Sequence, residues 1–240
     1  MGRREGPLRS FGRMKGRPLK PRQAALMESL LPHIAAPAAG AVTAATLFPD
    51  GAARPLTLEI GFGGGEHLAA RAAGAPEGGF LGVEPFLNGV ASALQAIDAA
   101  GLTNIRIYQG DAREVLARMP GGALDCVYIL FPDPWPKTRH WKRRLIQPAF
   151  AAELARVLKS GGEVRFATDW AAYAEWSLAV FLGEPAFEWR AESAADWRAP
   201  WPGHSPTRYE RKRLGDCAPV FLRFVRHRRQ GLTSGPRGAI

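Results

Sequence analysis

The chain has 240 residues, which fits one domain with or without tails and is enough to bury a sizeable core. Its formal net charge of +10 points to a polyanionic partner without saying which. No apolar run approaches the ~20 residues that cross a bilayer, and two cysteines, Cys126 and Cys217, give neither a disulfide framework nor metal-ligand spacing. No apolar stretch follows the basic N-terminus, so neither a signal peptide nor a membrane partner is expected. A reducing cytoplasm suits two lone thiols.

Residues 1–20 hold Arg3, Arg4, Arg9, Arg13, Lys15, Arg17 and Lys20 among glycines and prolines, opposed only by Glu5. Such composition cannot build a core, so a disordered basic arm is expected. Residues 21–55 make a helix and a connector. Pro21 opens the helix, which runs to about Leu31 with Leu26, Leu30 and Leu31 on one face. From residue 56 strands and helices alternate. Strands are predicted at 56–60, 80–84, 104–108, 126–131 and 163–167, with a late one at 218–225. Helices are predicted after Gly65, along Phe86, Val90, Leu94 and Ile97, from Asp111 to Met119, along Ile146, Phe150, Leu154 and Leu158, and from Trp170 to Phe181. Ser160-Gly161-Gly162 is expected to end the fourth of these. The alternation predicts an α/β fold, a doubly wound, mostly parallel, Rossmann-like sheet with helices on both faces. It occupies residues 56–226, and 227–240 read as a basic tail.

Two stretches carry chemistry. In the first, Glu59-x-Gly61-x-Gly63-x-Gly65 joins the first strand to its helix. Glycines there let the backbone turn tightly and approach a ligand. The turn alone is either structural or a dinucleotide site. Its spacing is not G-x-G-x-x-G, because Glu66 stands where the last glycine would be. Glu59 would repel a pyrophosphate and attract an ammonium and a sulfonium, the charged groups of S-adenosylmethionine. Glu84 ends the second strand, where a carboxylate can grip both ribose hydroxyls or favour the next helix N-terminus. Asp111, after the third strand, is either an N-cap or an acceptor for the adenine amino group.

The second stretch is FPDPWPKTRHWKRR, residues 131–144. Pro132 and Pro134 stiffen the chain around Asp133, just past the fourth strand, where open α/β sheets bind ligands. Lys137, Arg139, His140, Trp141, Lys142, Arg143 and Arg144 follow. Such a basic, aromatic run suits phosphates and bases, or is simply a solvated face.

Three acids at successive strand ends around one Gly-rich turn resemble the class I S-adenosylmethionine-dependent methyltransferase fold. The resemblance sharpens with PDPWPK-x-RH-x-KRR, Thr168-Asp169 with Tyr173 following, and Thr207-Arg208-Tyr209-Glu210 before Arg213-Leu214-Gly215. Residues 58–225 are then similar to a bacterial tRNA (guanine-N7-)-methyltransferase. That implies a seven-stranded sheet with its last strand antiparallel. It also implies methyl transfer from S-adenosylmethionine to N7 of the variable-loop guanine of tRNA, position 46 in tRNA numbering, with no metal. By motif, Glu59, Gly61, Gly63, Glu84, Asp111 and Asp133 would contact the cofactor, and Asp133 is the candidate catalytic acid. Lys137, Asp169, Thr207, Arg208, Tyr209 and Glu210 would hold the substrate. Arg139, His140, Trp141, Lys142, Arg143 and Arg144 would touch RNA.

Other readings compete. A nicotinamide dehydrogenase would want the third glycine of its fingerprint. A methyltransferase for base amino groups would want a second proline where Trp135 stands. A non-catalytic RNA-binding module needs none of these acids. Asp169 either caps the helix starting at Trp170 or accepts from guanine. Monomer and homodimer are equally compatible with the residues.

Overall fold

Apolar side chains at every second position from Leu56 onward build the central layer of the computed structural model, which describes residues 14, 16–51 and 54–227. The expected arm (1–20) and tail (227–240) lie outside the described residues, except for Met14, residues 16–20 and His227. The strands are β1 (Leu56–Ile60), β2 (Gly79–Val83), β3 (Ile105–Tyr108), β4 (Leu124–Leu130), β5 (Leu158–Thr168), β6 (Phe187–Trp189) and β7 (Val220–Arg226). They form one sheet in the order β3-β2-β1-β4-β5-β7-β6. The first five are parallel, and β7 runs antiparallel to both β5 and β6.

The helices are α1 (Pro21–Ser29), α2 (Leu31–Ile34), α3 (Ala44–Leu47), α4 (Glu66–Ala73), α5 (Leu87–Ala99), α6 (Ala112–Arg118), α7 (Pro148–Val157), α8 (Ala171–Leu182), α9 (Ala195–Arg198) and α10 (Arg208–Lys212). The period-two rule of strands assigns their faces. Leu56, Leu58 and Ile60 of β1, Val127 and Ile129 of β4, and Phe166 of β5 pack with α6, α7 and α8. On the opposite face, α1, α4 and α5 bring Leu26, Leu68, Val90 and Leu94 against Phe80, Ile105 and Ile107. Thr57 and Glu59 belong to this second face by alternation.

Four expectations change. The first helix breaks at Leu30, because Pro32 has no N–H to continue it, and α2 restarts as a single turn. Residues 37–55 are more than connector: Val42, Leu47 and Phe48 are buried in the main core. Ser160-Gly161-Gly162 does not end a helix; α7 starts at Pro148 and stops at Val157, and β5 runs through those residues for 11 positions. Strand pairing overrides the glycine signal there, since Leu158 already pairs with Leu124. β6 spans only 3 residues, too short for its period to be read, and completes the seven strands. Among the described residues, no helix is long and apolar enough to cross a membrane.

Candidate active site

β1 and β4 lie side by side, with Ile60 opposite Ile129, but the chain leaves them toward opposite faces. Their C-terminal ends therefore flank the sheet's topological switch point, where such folds open a cleft. The Gly-rich turn follows β1 and residues 131–144 follow β4, so tertiary structure brings the two sequence motifs together.

The turn begins at Gly61, whose φ of +72° favours glycine and above which a Cβ would meet nothing within 4 Å. It ends at Gly65 (φ +80°), where a side chain would strike Ala93 of α5. Glu84, at the end of β2, is 7% exposed and is tied to this turn. Its Oε2 accepts from the Gly63 N–H at 2.8 Å and its Oε1 from the Phe86 N–H at 2.9 Å. Burial raises its pKa above the ordinary glutamate value, the two N–H donors oppose this, and the charge of Asp133 adds to it. Glu59 is buried, as the period-two rule places it, and its Oε2 pairs with Nδ1 of His67 on α4 at 2.7 Å. Only Oε1 is left out of that pair. Asp111 caps α6: Oδ1 accepts from the Arg113 N–H at 2.9 Å, and the Arg113 guanidinium holds both oxygens. Despite its partial burial, these donors hold Asp111 below the usual carboxylate range.

Across the cleft, Asp133 keeps contact with water, yet the surrounding chain strips part of its hydration and raises its carboxyl. Its flanks are strained. Phe131 (φ +51°) and Trp135 (φ +45°) are bulky residues in the left-handed region. Each such residue costs about 1–2 kcal/mol, so the fold must hold them there. The Phe131 N–H donates to the Ala167 carbonyl at 2.7 Å, and the Arg143 guanidinium lies 5.0 Å from the Trp135 ring centroid.

Asp169, at the end of β5, does not cap α8 as one reading expected; Trp170 is the N-cap residue. Instead Asp169 Oδ2 accepts from the Gly215 N–H at 2.8 Å, and its carbonyl from Cys217 at 3.1 Å. Asp216 Oδ1 in turn accepts from the Ala171 N–H at 2.8 Å, so the loop after α10 is stapled to the β5–α8 junction. Between this junction and α10 lies an open cavity of about 690 Å³, lined by Asp169, Glu210, Arg211, Arg213 and Cys217. Thr207 is the N-cap of α10 and forms a capping box with Glu210. The Tyr209 ring lies against the turn, 3.2 Å from where a Cβ of Gly63 would stand. Desolvation, then the charges of Glu84 and Asp133, raises the Tyr209 hydroxyl. Arg208 is exposed.

The basic run divides. Lys137, Arg139 and Lys142 are exposed, and His140 and Trp141 are partly covered. The Trp141 ring packs 5.6 Å from Trp176 on α8. Arg144, expected among the RNA contacts, is 2% exposed and points inward. Its guanidinium donates to the carbonyls of Pro134 (2.9 Å) and Ala172 (3.1 Å) and lies over Trp141, Tyr173 and Trp176. It is an internal strut for the loop that carries Asp133, and this corrects its expected role.

Sequence reading missed His67, Tyr128, Trp201 and His204, which cluster beneath the turn. A lone histidine in a helix, or one among prolines, carries no periodic signal. Their meeting needs the packed fold.

Comparison with known proteins fits this geometry. A family described as "Putative methyltransferase" matches residues 53–221. Two solved structures share the fold at low identity. The antibiotic-resistance methyltransferase Kmr has a TM-score of 0.50 at 17% identity, over 80% of this chain and 98% of that one. A precorrin-6y C5,15-methyltransferase from Geobacter metallireducens GS-15 also scores 0.50, at 13% identity, over 72% of this chain and 80% of that one. Fold and family define a class I methyltransferase, which implies use of S-adenosylmethionine. The open backbone at Gly61 and the Glu84 carboxylate beside it fit such a group.

The tRNA (guanine-N(7)-)-methyltransferase of Caulobacter sp. (strain K31) is 56% identical, over 92% of this chain and 96% of that protein. The one from Hyphomonas neptunium is 49% identical, over 90% of this chain and 99% of that protein. The chain belongs to the tRNA (guanine-N7-)-methyltransferase family.

Arg144→Ala is expected to lower unfolding free energy by roughly 2–4 kcal/mol, through two charge-assisted hydrogen bonds and the aromatic packing. Urea denaturation measures it. A loss below 0.5 kcal/mol would return Arg144 to the surface contacts.

Proposed function

We propose that this chain transfers a methyl group from S-adenosylmethionine to N7 of the variable-loop guanine of tRNA, position 46, giving 7-methylguanosine. The observation that carries this is the meeting, at one switch point, of the Gly-rich turn and Asp133, with Tyr209 of α10 laid against the turn. When bound, the cofactor supplies an electrophilic methyl on a sulfonium. Guanine N7 has an in-plane lone pair and no proton, so its attack needs no general base. The protein's work is then positioning and electrostatics. Mass spectrometry of nucleosides from tRNA incubated with the protein tests the reading. Product other than 7-methylguanosine, or none, would overturn it.

On the cofactor side, Glu84 has one N–H donor on each oxygen, leaving lone pairs for both ribose hydroxyls. Glu59 offers Oε1 to the ammonium, and Gly61 and Gly63 offer close backbone. Asp111 Oδ2 keeps one lone pair beyond its Arg113 bond for the adenine amino group. Glu84→Ala should weaken cofactor binding by roughly 1.5–3 kcal/mol in calorimetric titration. Unchanged affinity would remove Glu84 from the site.

On the substrate side, Asp133 and Asp169 can accept from N1–H and N2–H of guanine and favour the positive charge N7 acquires. Asp133 works as a carboxylate in this scheme. The single-turnover rate, at saturating cofactor, should be flat through neutral pH and fall on the acid side. Because partial burial raises Asp133, the fall should begin above the ordinary aspartate value near ~4. Asp133→Asn should slow transfer about 10- to 100-fold, roughly 1.4–2.7 kcal/mol. A rate rising tenfold per unit across pH 6 to 8 would mean an essential base.

For RNA, the exposed face is Lys137, Arg139 and Lys142, with Arg143 beside them. Local desolvation and the charges of Arg143, Arg139, Lys137 and Lys142 push the His140 pKa below the ordinary histidine value. At neutral pH this leaves a neutral ring in a field of cations, suited to a base between phosphates. Replacing Arg139 and Lys142 by Ala should flatten the log–log salt dependence of tRNA binding by about 1.4–1.8 units. Filter binding with an unchanged slope would place tRNA elsewhere.

A further inference from the structure

Near β4, β5 and β7, the second face of the sheet is covered by a loop rather than a long helix. Trp201 packs there on Tyr128, Leu130, Ala167 and Phe221. His204 follows, its ring 5.5 Å from Trp201 and 5.4 Å from Phe221. Arg71 of α4 reaches across to donate to the Gly203 carbonyl at 3.2 Å.

Two carboxylate–imidazole pairs meet in this place. Glu59 Oε2 accepts from Nδ1 of His67 at 2.7 Å, and Glu210 Oε2 accepts from Nε2 of His204 at 2.7 Å. The two imidazole centroids are 5.5 Å apart, and the side chains are 0% and 3% exposed. The remaining nitrogens, His67 Nε2 and His204 Nδ1, are buried and have no hydrogen-bond partner among the described residues. Polar nitrogens buried this deeply without a hydrogen-bond partner cost stability.

Each carboxylate belongs to a different working part. Glu59 lies in β1, two residues before the Gly-rich turn begins at Gly61. Glu210 sits in the first turn of α10, closing the capping box with Thr207. α10 has only 5 residues and ends at Arg213 in the left-handed region, so it cannot hold its own position. Successive helix residues point about 100° apart. Thus the anchor on Glu210 also fixes Tyr209, which lies on Gly63.

We infer that His67 and His204 are positioning residues that latch the substrate segment 207–210 to the cofactor turn, with Glu210 acting through this latch rather than on tRNA. The inference rests on the reading that Thr207, Arg208 and Tyr209 face the substrate, Glu210 being the anchor behind them. A carboxylate only accepts, so Nε2 of His204 carries the proton given to Glu210. Glutamine at 204 can present an amide N–H near the same point, whereas leucine cannot.

The experiment compares His204→Leu with His204→Gln in steady-state methylation of tRNA, alongside cofactor titration and thermal unfolding. His204→Leu should raise KM for tRNA about 10-fold, with kcat within threefold and cofactor Kd within twofold. His204→Gln should return KM to within threefold of the parent. His67→Asn keeps an amide on Glu59 but withdraws the ring from His204. It should raise KM for tRNA about threefold alone and add nothing to His204→Leu. An unchanged KM in His204→Leu overturns the latch. So does a glutamine variant as damaged as the leucine one, with kcat, cofactor binding and melting temperature falling together. Where His204→Leu folds poorly, Glu210→Gln decides: its amide oxygen still accepts from His204, so near-normal KM is expected. A tenfold rise there means that Glu210 itself touches tRNA and overturns the inference. Failure of the parent reading looks different: the unsubstituted protein would make no 7-methylguanosine, and the latch would fall with it.

Discussion

The parallel pairing of β1 with β4 is the constraint on which the site depends. Ile60 and Ile129 sit opposite each other in adjacent strands, but α4 follows β1 on one face while the chain after β4 leads to α7 on the other. A gap must open where the two exits part. The Gly-rich turn forms one lip and the loop of Asp133 the other. Neither motif alone makes a site. The apolar packing of β1 and β4 on α6 and α7 holds the lips in place, and buried apolar area is the large term that can do so.

The acids around this gap are held by different means, and that is why their electrostatics differ. Glu84 is buried and anchored by two backbone N–H groups, yet burial dominates and raises its carboxyl. Asp111 is held by a guanidinium and goes the other way. Asp133 has only a stiff loop with two left-handed aromatic residues beside it, and loses hydration without gaining a hydrogen-bond partner among the described residues. An acid left in that condition can still improve its hydrogen bonding when a donor-bearing base arrives. A fully satisfied acid cannot.

The loop holding Asp133 is kept in shape by a cation turned inward. Arg144 lies among Trp141, Tyr173 and Trp176 and bonds the carbonyls of Pro134 and Ala172. Its neighbours Lys142 and Arg139 point to water. One basic run thus serves two purposes. The 3-10 segment Thr138–Arg143 separates them, because its tight turn sends successive side chains to different sides.

The strand and helix alternation from Leu56 to Val225 was legible in the sequence, because periods of two and near four record which side chains are buried. So were the two motifs and the acids at strand ends. Their local chemistry is written in short spacings. The class of fold and the family followed from these alone. Three kinds of feature were not legible. β6 is too short to show a period, and β5 extends through two glycines because β4 pairs on either side of them, at Leu158 and at Glu163. The inward turn of Arg144 depends on aromatic rings from α8, more than 25 positions away in sequence. The meeting of Glu59, His67, His204 and Glu210 joins positions from four segments. Sequence by itself determined the periodic and the local, since those depend on near neighbours. Only tertiary structure decided which polar side chains share a buried space, because that depends on how distant elements pack.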